Sequence, residues 1–140
     1  MAMEFDRSII GTEFDRTVLD PVKQEEILEY AAASGEPTLP AADGAADVGA
    51  PPTFVVRLRG RRFMPANLPK IGRSVFDAGK DIEFGVPIRA GDVLTVVSTV
   101  HDIYEKTGRT GNMAFIVLRT VVTNQRDEQA AVIDQKMMFR

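Results

Sequence analysis

One short stretch of this chain is crowded with cations and contains no acid. Between Pro51 and Ser74 stand Arg57, Arg59, Arg61, Arg62, Lys70 and Arg73, a local charge of +6. Such an island suits phosphate groups or an acidic partner surface. It suits equally a solvated loop whose arginines pair with nearby carboxylates. The residues before it carry −8, those after it −1, and the whole chain −3. An acidic chain without interleaved basic and aromatic residues argues against a nucleic-acid partner.

Other chemistries are removed by what is missing. The 140 residues include no cysteine, which excludes disulfides, a thiolate zinc site and a cysteine nucleophile. A single histidine, His101, excludes a two-histidine metal motif and leaves little material for a triad. It lies in VSTVHDIY, where a packed or partner-bonded imidazole is the ordinary outcome. Ser34, Thr38 and Thr53 have no base beside them in the sequence, so a hydroxyl nucleophile is unsupported. Glu36 and Asp43 are carboxylates in a loop and, on residue type alone, read as solvated.

The elements that must position these groups can be read from pattern. Residues 1–140 read as one domain, with 44% hydrophobic residues for a core and 26% charged residues for a wet surface. No apolar run is long enough to span a bilayer, and MAMEFDRSII carries acids where a signal peptide is basic. The expectation is a soluble, cytoplasmic protein with no membrane association. Pro21 to Ser34 is predicted as a helix, with Asp20 as N-cap, Pro21 in the first helical position and Gly35 as terminator. Ile27, Tyr30, Ala31 and Ser34 form its buried stripe, and Ala31, Ala32 and Ala33 make one end slim enough for a sheet to approach. Glu36 to Pro52 reads as a long irregular segment, followed by an apolar run from Thr53 to Leu58.

Four strands follow: Val75 to Phe84, Val93 to Tyr104, Met113 to Val122 and Ala130 to Phe139. GVPIRAGD, EKTGRTGN and NQRDEQ separate them, and the short breaks between the last three favour an antiparallel meander. Both alternating sets of the Met113 strand are largely apolar, which places it mid-sheet. A helix would cover one face and a second subunit the other. With one early strand added, the class is α+β, an antiparallel sheet curled round a central helix.

Four stretches resemble the MaoC-like dehydratases and hydratases, specifically the N-terminal-half type with the hot-dog fold. They are YAAASGEPTLPAAD, APPTF, FDAGKDIEFGVPIRAGDVL and DIYEKTGRTGNMAFIVLRTVVTNQ. The resemblance implies a sheet wrapped round one long helix, with units paired as hetero- or homodimers. It implies (R)-specific hydration of trans-2-enoyl thioesters or the reverse dehydration, with a coenzyme A or acyl carrier protein thioester as substrate and no resident cofactor. It also implies an acid/base pair in a GDxNPxH-like stretch. Here that stretch begins at Gly35, so Glu36 stands at the aspartate position and Ala41, five residues on, at the histidine position. A methyl group moves no proton, so the resemblance points to a subunit that lacks the pair and contributes the acyl-binding half of a heteromeric lyase. Glu36 is the only candidate for a residual catalytic role. Arg57, Arg59, Arg61, Arg62, Lys70, Arg73 and Thr53 are the candidates for substrate binding. A self-sufficient homodimeric hydratase or thioesterase using Glu36, and a non-enzymatic acyl-CoA-binding module, are the competing expectations.

Overall fold

A computed structural model describes residues 6–40, 48–66, 68 and 74–140. Strand β1 (Glu13–Val18) is followed by helix α1 (Gln24–Ser34), then by β2 (Val75–Phe84), β3 (Thr95–Gly108), β4 (Gly111–Thr123) and β5 (Gln129–Phe139). Short 3₁₀ helices occupy Arg7–Ile9 and Pro52–Arg57. The strands form one antiparallel sheet in the order β1-β3-β4-β5-β2. The predicted meander is present, and the doubly apolar strand lies in the centre.

Alternation decides which side chains face inward. In β4, Ala114, Ile116, Leu118 and Val122 are buried on one face. Their cross-strand partners include Val100 and Val96 on β3 and Ala131 and Phe139 on β5. This inner face carries two apolar clusters. One joins Val96, Val122, Ala131 and Ile133 to Ile27 of α1 and to Phe54 and Val55 of the 3₁₀ helix. The other joins Val100, Ile103, Ala114, Ile116 and Phe139 to Ile9. Each buried Val, Ile or Phe side chain among them contributes about 1.5–3 kcal/mol by leaving water.

The helix begins later than its sequence signals indicate. Its N-cap is Lys23, without a side-chain cap bond, rather than Asp20. The chain between them is held extended against the segment before β3: Leu19 N donates to Leu94 O at 2.8 Å and Val22 N to Asp92 O at 2.9 Å. Buried Val22 completes this pairing, and tertiary hydrogen bonds override a good local cap. The stripe is also shorter than expected. Ile27 is fully buried and Tyr30 half-buried, but Ser34 is exposed. Ala32 and Ala33 face solvent, so the slim end does not receive the sheet. The GRTG break is strand almost to its tip, with Gly108 paired to Gly111 and Thr107 to Asn112.

The other apolar set of β4 is supported on the outer face by neighbours across the sheet. Tyr104 stacks on Phe115 with ring centroids 5.0 Å apart. Arg119 grips Asp134 through two bonds of 2.8 Å. The Arg119 guanidinium holds the Asp134 carboxyl below the usual aspartate range. A depressed folded-state value stabilises above the unfolded value and ceases to do so as pH falls through the folded one. Asp134→Asn is therefore expected to cost about 1 kcal/mol at pH 7, discounted for partial exposure. That difference should shrink in denaturation curves recorded below about pH 4; a pH-independent difference would contradict it.

Candidate functional site

The last turn of α1, the residues just after it and the 3₁₀ helix converge on one carboxylate. Gly35 ends α1 in the left-handed region (φ 73°), a conformation that favours glycine, and Glu36 follows. Pro51 and Pro52 open the 3₁₀ helix, which presents Thr53 toward α1. Thr53 Oγ1 donates to Glu36 Oε1 at 2.6 Å, and Thr53 Oγ1 lies 2.8 Å from the Tyr30 hydroxyl. A threonine has one hydroxyl proton. Once that proton is given to an ionised carboxylate, Tyr30 must be the donor to Thr53. The bonds thus run in one direction, from Tyr30 through Thr53 to Glu36.

Glu36 is consequently a held, half-buried carboxylate rather than a freely solvated one. Among the described residues its Oε2 accepts no hydrogen bond, so within them it is the oxygen left for a further donor such as water. Such a carboxylate could take or give one proton. His101 is exposed at a register shift in β3, with Asp134 of the outer face as its neighbour in charge. Ala41 and Asp43 lie outside the described residues, as do Lys70 and Arg73. Among the described residues no three His, Cys, Asp or Glu side chains are grouped as a metal would need.

Among the described residues the cations of the basic island go to different places. Arg57 lies over the Phe54 ring, 5.0 Å from its centroid, and reaches the Glu26 carbonyl on α1. Arg61 is anchored by its backbone, its N–H shared by Asp15 Oδ2 at 3.1 Å and Thr17 Oγ1 at 3.2 Å of β1. Arg59 stacks over Phe63 at 4.6 Å. Arg59 and Arg62 line a cleft of about 400 Å³ between residues 57–64 and the inner face of the sheet. Apolar walls come from Phe14, Val56, Phe63, Met64, Leu118 and Met137. Nothing in the sequence marks Tyr30 as a partner of Thr53, or sets apart the polar residues of the cleft floor: Asp77, Lys80, Ser98, Thr120 and Gln135. The one local signal was an aspartate two residues before a glycine inside a strand, a pattern that marks bulges.

A five-stranded antiparallel sheet with one helix on its inner face defines a hot-dog protein. The family model described as FAS1-like, dehydratase domain region matches residues 8–133. The chain belongs to that family, the MaoC-like hot-dog dehydratases. It is 34% identical over 120 residues to a UPF0336 protein of Streptomyces avermitilis, covering 76% of this chain and 78% of the relative. In fold it is similar to the ChsH1-ChsH2 complex of Mycobacterium tuberculosis, with TM-score 0.67, 20% identity, and 90% of this chain and 83% of that one covered. It is similar also to the C-terminally truncated HadBC (3R-hydroxyacyl-ACP dehydratase) complex of the same organism, with TM-score 0.64, 21% identity, and 97% and 99% covered.

Proposed function

We propose that this chain is the acyl-binding subunit of a heteromeric (R)-specific enoyl-thioester hydratase or 3-hydroxyacyl-thioester dehydratase, with the acid/base pair supplied by a second hot-dog chain. Adding water across the double bond requires one group to deprotonate the water that attacks the β-carbon. A proton must also reach the α-carbon, and the enolate-like oxygen needs preorganised donors. The observation that carries the reading is an open, largely apolar cleft flanked by two arginines, in a chain where the family resemblance puts Ala41 at the histidine position. The cleft suits an acyl chain. Arg59 and Arg62 suit the phosphates of coenzyme A or the acidic surface of a carrier protein.

A second chain is supported by the sheet edge and by the family. β2 is an outermost strand on which Val75, Phe76 and Phe84 are 55%, 41% and 50% exposed. An unpaired apolar edge is a site for another strand. Two of the similar structures, ChsH1-ChsH2 and HadBC, are complexes of two different chains. One observation favours a second reading: Glu36 is held by Thr53 and its other oxygen accepts no bond among the described residues, as a self-sufficient homodimeric hydratase or thioesterase would require.

Two measurements separate these readings. The purified chain is expected to bind acyl-CoA and to leave crotonyl-CoA unhydrated at the uncatalysed rate. Strong turnover abolished by Glu36→Gln would establish the second reading instead. Neutralising Arg59 and Arg62 together is expected to weaken acyl-CoA binding about tenfold at low salt and much less at high salt. Equal affinity at both ionic strengths would reject the phosphate assignment. Binding without any effect on the rate of a co-expressed catalytic hot-dog chain would leave only an acyl-CoA-binding module.

A further inference from the structure

Both alternating sets of β4 are apolar, and α1 covers the inner one. On the outer face the register lines up Phe76 of β2, Met138 of β5, Phe115 of β4 and Tyr104 of β3, each directly opposite the next. Phe76, at the β2 end of this row, is exposed, and the other three are half-buried. Cations crown the row. Arg140 lies over Phe76, 5.1 Å from the ring centroid, and reaches the Thr110 hydroxyl. Lys106 stands over the stacked pair, 5.7 Å from the Tyr104 centroid and 5.6 Å from that of Phe115. Arg109 is exposed at the tip of the β3–β4 hairpin just beyond. Glu105, the acid between Tyr104 and Lys106, belongs to the inner face, opposite Ala114. An apolar strip under positive charge suits an apolar surface that carries acids.

The chain itself carries such a surface. Helix α1 turns Ile27 inward and leaves Glu25, Leu28, Glu29 and Ala32 exposed, Leu28 by 47%. Their spacing of i, i+3, i+4 and i+7 makes them one stripe, centred roughly opposite Ile27 around the helix. A leucine between two glutamates is the counterpart of aromatic rings between cations, and Ala32 adds no bulk to hold the helix off a flat sheet. The dimensions agree. The row spans about 14 Å across four strands, and the stripe rises about 10 Å from Glu25 to Ala32. Because α1 packs on the inner face of its own sheet, stripe and row lie on opposite sides of one molecule and meet only between molecules.

We infer that the outer-face row receives the exposed α1 stripe of a second copy of this chain. One patch meets a different one, so copies add head to tail. The contact is independent of the acyl-binding reading, and of a strand added at β2, which would widen the sheet and leave its outer face open. Analytical ultracentrifugation of the full chain tests it. At low salt the weight-average mass should rise with concentration past two chains, and high salt should lower it. Charge reversals supply the decisive arm: Glu25→Lys with Glu29→Lys on the stripe, and Lys106→Glu with Arg140→Glu at the row. Either variant alone sets like charge against like and should associate about tenfold more weakly. Mixed together they make both contacts attractive and should regain wild-type association, a recovery that damaged folding would not give. A mixture that fails to recover overturns the inference. So does a mass that levels off at two chains and ignores both reversals, which would report pairing at the β2 edge. A chain that stays single, whether or not its row binds an acidic carrier protein, overturns it as well.

Discussion

Phe54→Ala is expected to lower the unfolding free energy by about 3–5 kcal/mol, a large share of the stability of an ordinary domain. Phe54 is 1% exposed and belongs to the cluster that joins α1, the 3₁₀ helix and the sheet. Its ring meets Tyr30 edge-on, with centroids 5.6 Å apart, and Arg57 lies over it. Truncation removes the transfer energy of the ring and leaves a cavity whose walls belong to three elements that cannot all close on it. The same change loosens Tyr30, the first donor of the chain that ends on Glu36. Urea denaturation measures the stability loss. Phe63→Ala is the control: that ring is 63% exposed, and its removal should stay within about 0.5 kcal/mol. Equal losses in the two variants would show that the 3₁₀ helix does not organise the core.

The strands were legible because their signals are local. Alternation and β-branched residues placed Val75–Phe84 with both ends correct, and placed β3, β4 and β5 within a few residues. The start of α1 was not legible, because the bonds that keep Leu19 to Val22 extended come from residues about seventy positions away, near Leu94. The candidate site divides in the same way. Glu36 and Thr53 were each visible as residues, but their contact joins positions 17 apart across an irregular segment. The arginines form one island only along the chain, where neighbours in sequence need not be neighbours in space. Among the described residues Arg57 turns to α1, Arg61 is anchored on β1, and Arg59 and Arg62 line the cleft. The floor depends on a bulge at Gly79, whose effect is to reverse the parity of everything after it; a period-two reading of β2 puts Asp77 and Lys80 on opposite faces.

Gly60→Ala is expected to lower stability by about 2–3 kcal/mol and acyl-CoA affinity by roughly tenfold, because it unfastens the wall of the cleft that carries the arginines. A Cβ at this position would lie 1.9 Å from Asp15 Oδ2 and 3.3 Å from Thr17 Oγ1. The carboxylate is the movable end of a side chain, so it can swing aside. In doing so it abandons both its bond from Thr17, at 2.8 Å, and its bond from the Arg61 N–H. The bond from Arg61 ties residues 57–64 to β1 while the bond from Thr17 holds the carboxylate in place to accept it, and hydrogen bonds to charged groups are the stronger kind. Gly85→Ala provides the contrast. Its Cβ would fall 2.0 Å from the Gln129 backbone oxygen, so β2 and β5 must separate at an end that does not line the cleft. That variant should lose stability by overpacking yet retain the ligand affinity of its folded fraction. If Gly60→Ala and Gly85→Ala reduced affinity alike, the Asp15–Arg61 tie would have no special part in forming the cleft. If only Gly60→Ala does, the tie to β1 is what keeps Arg59 and Arg62 facing the ligand.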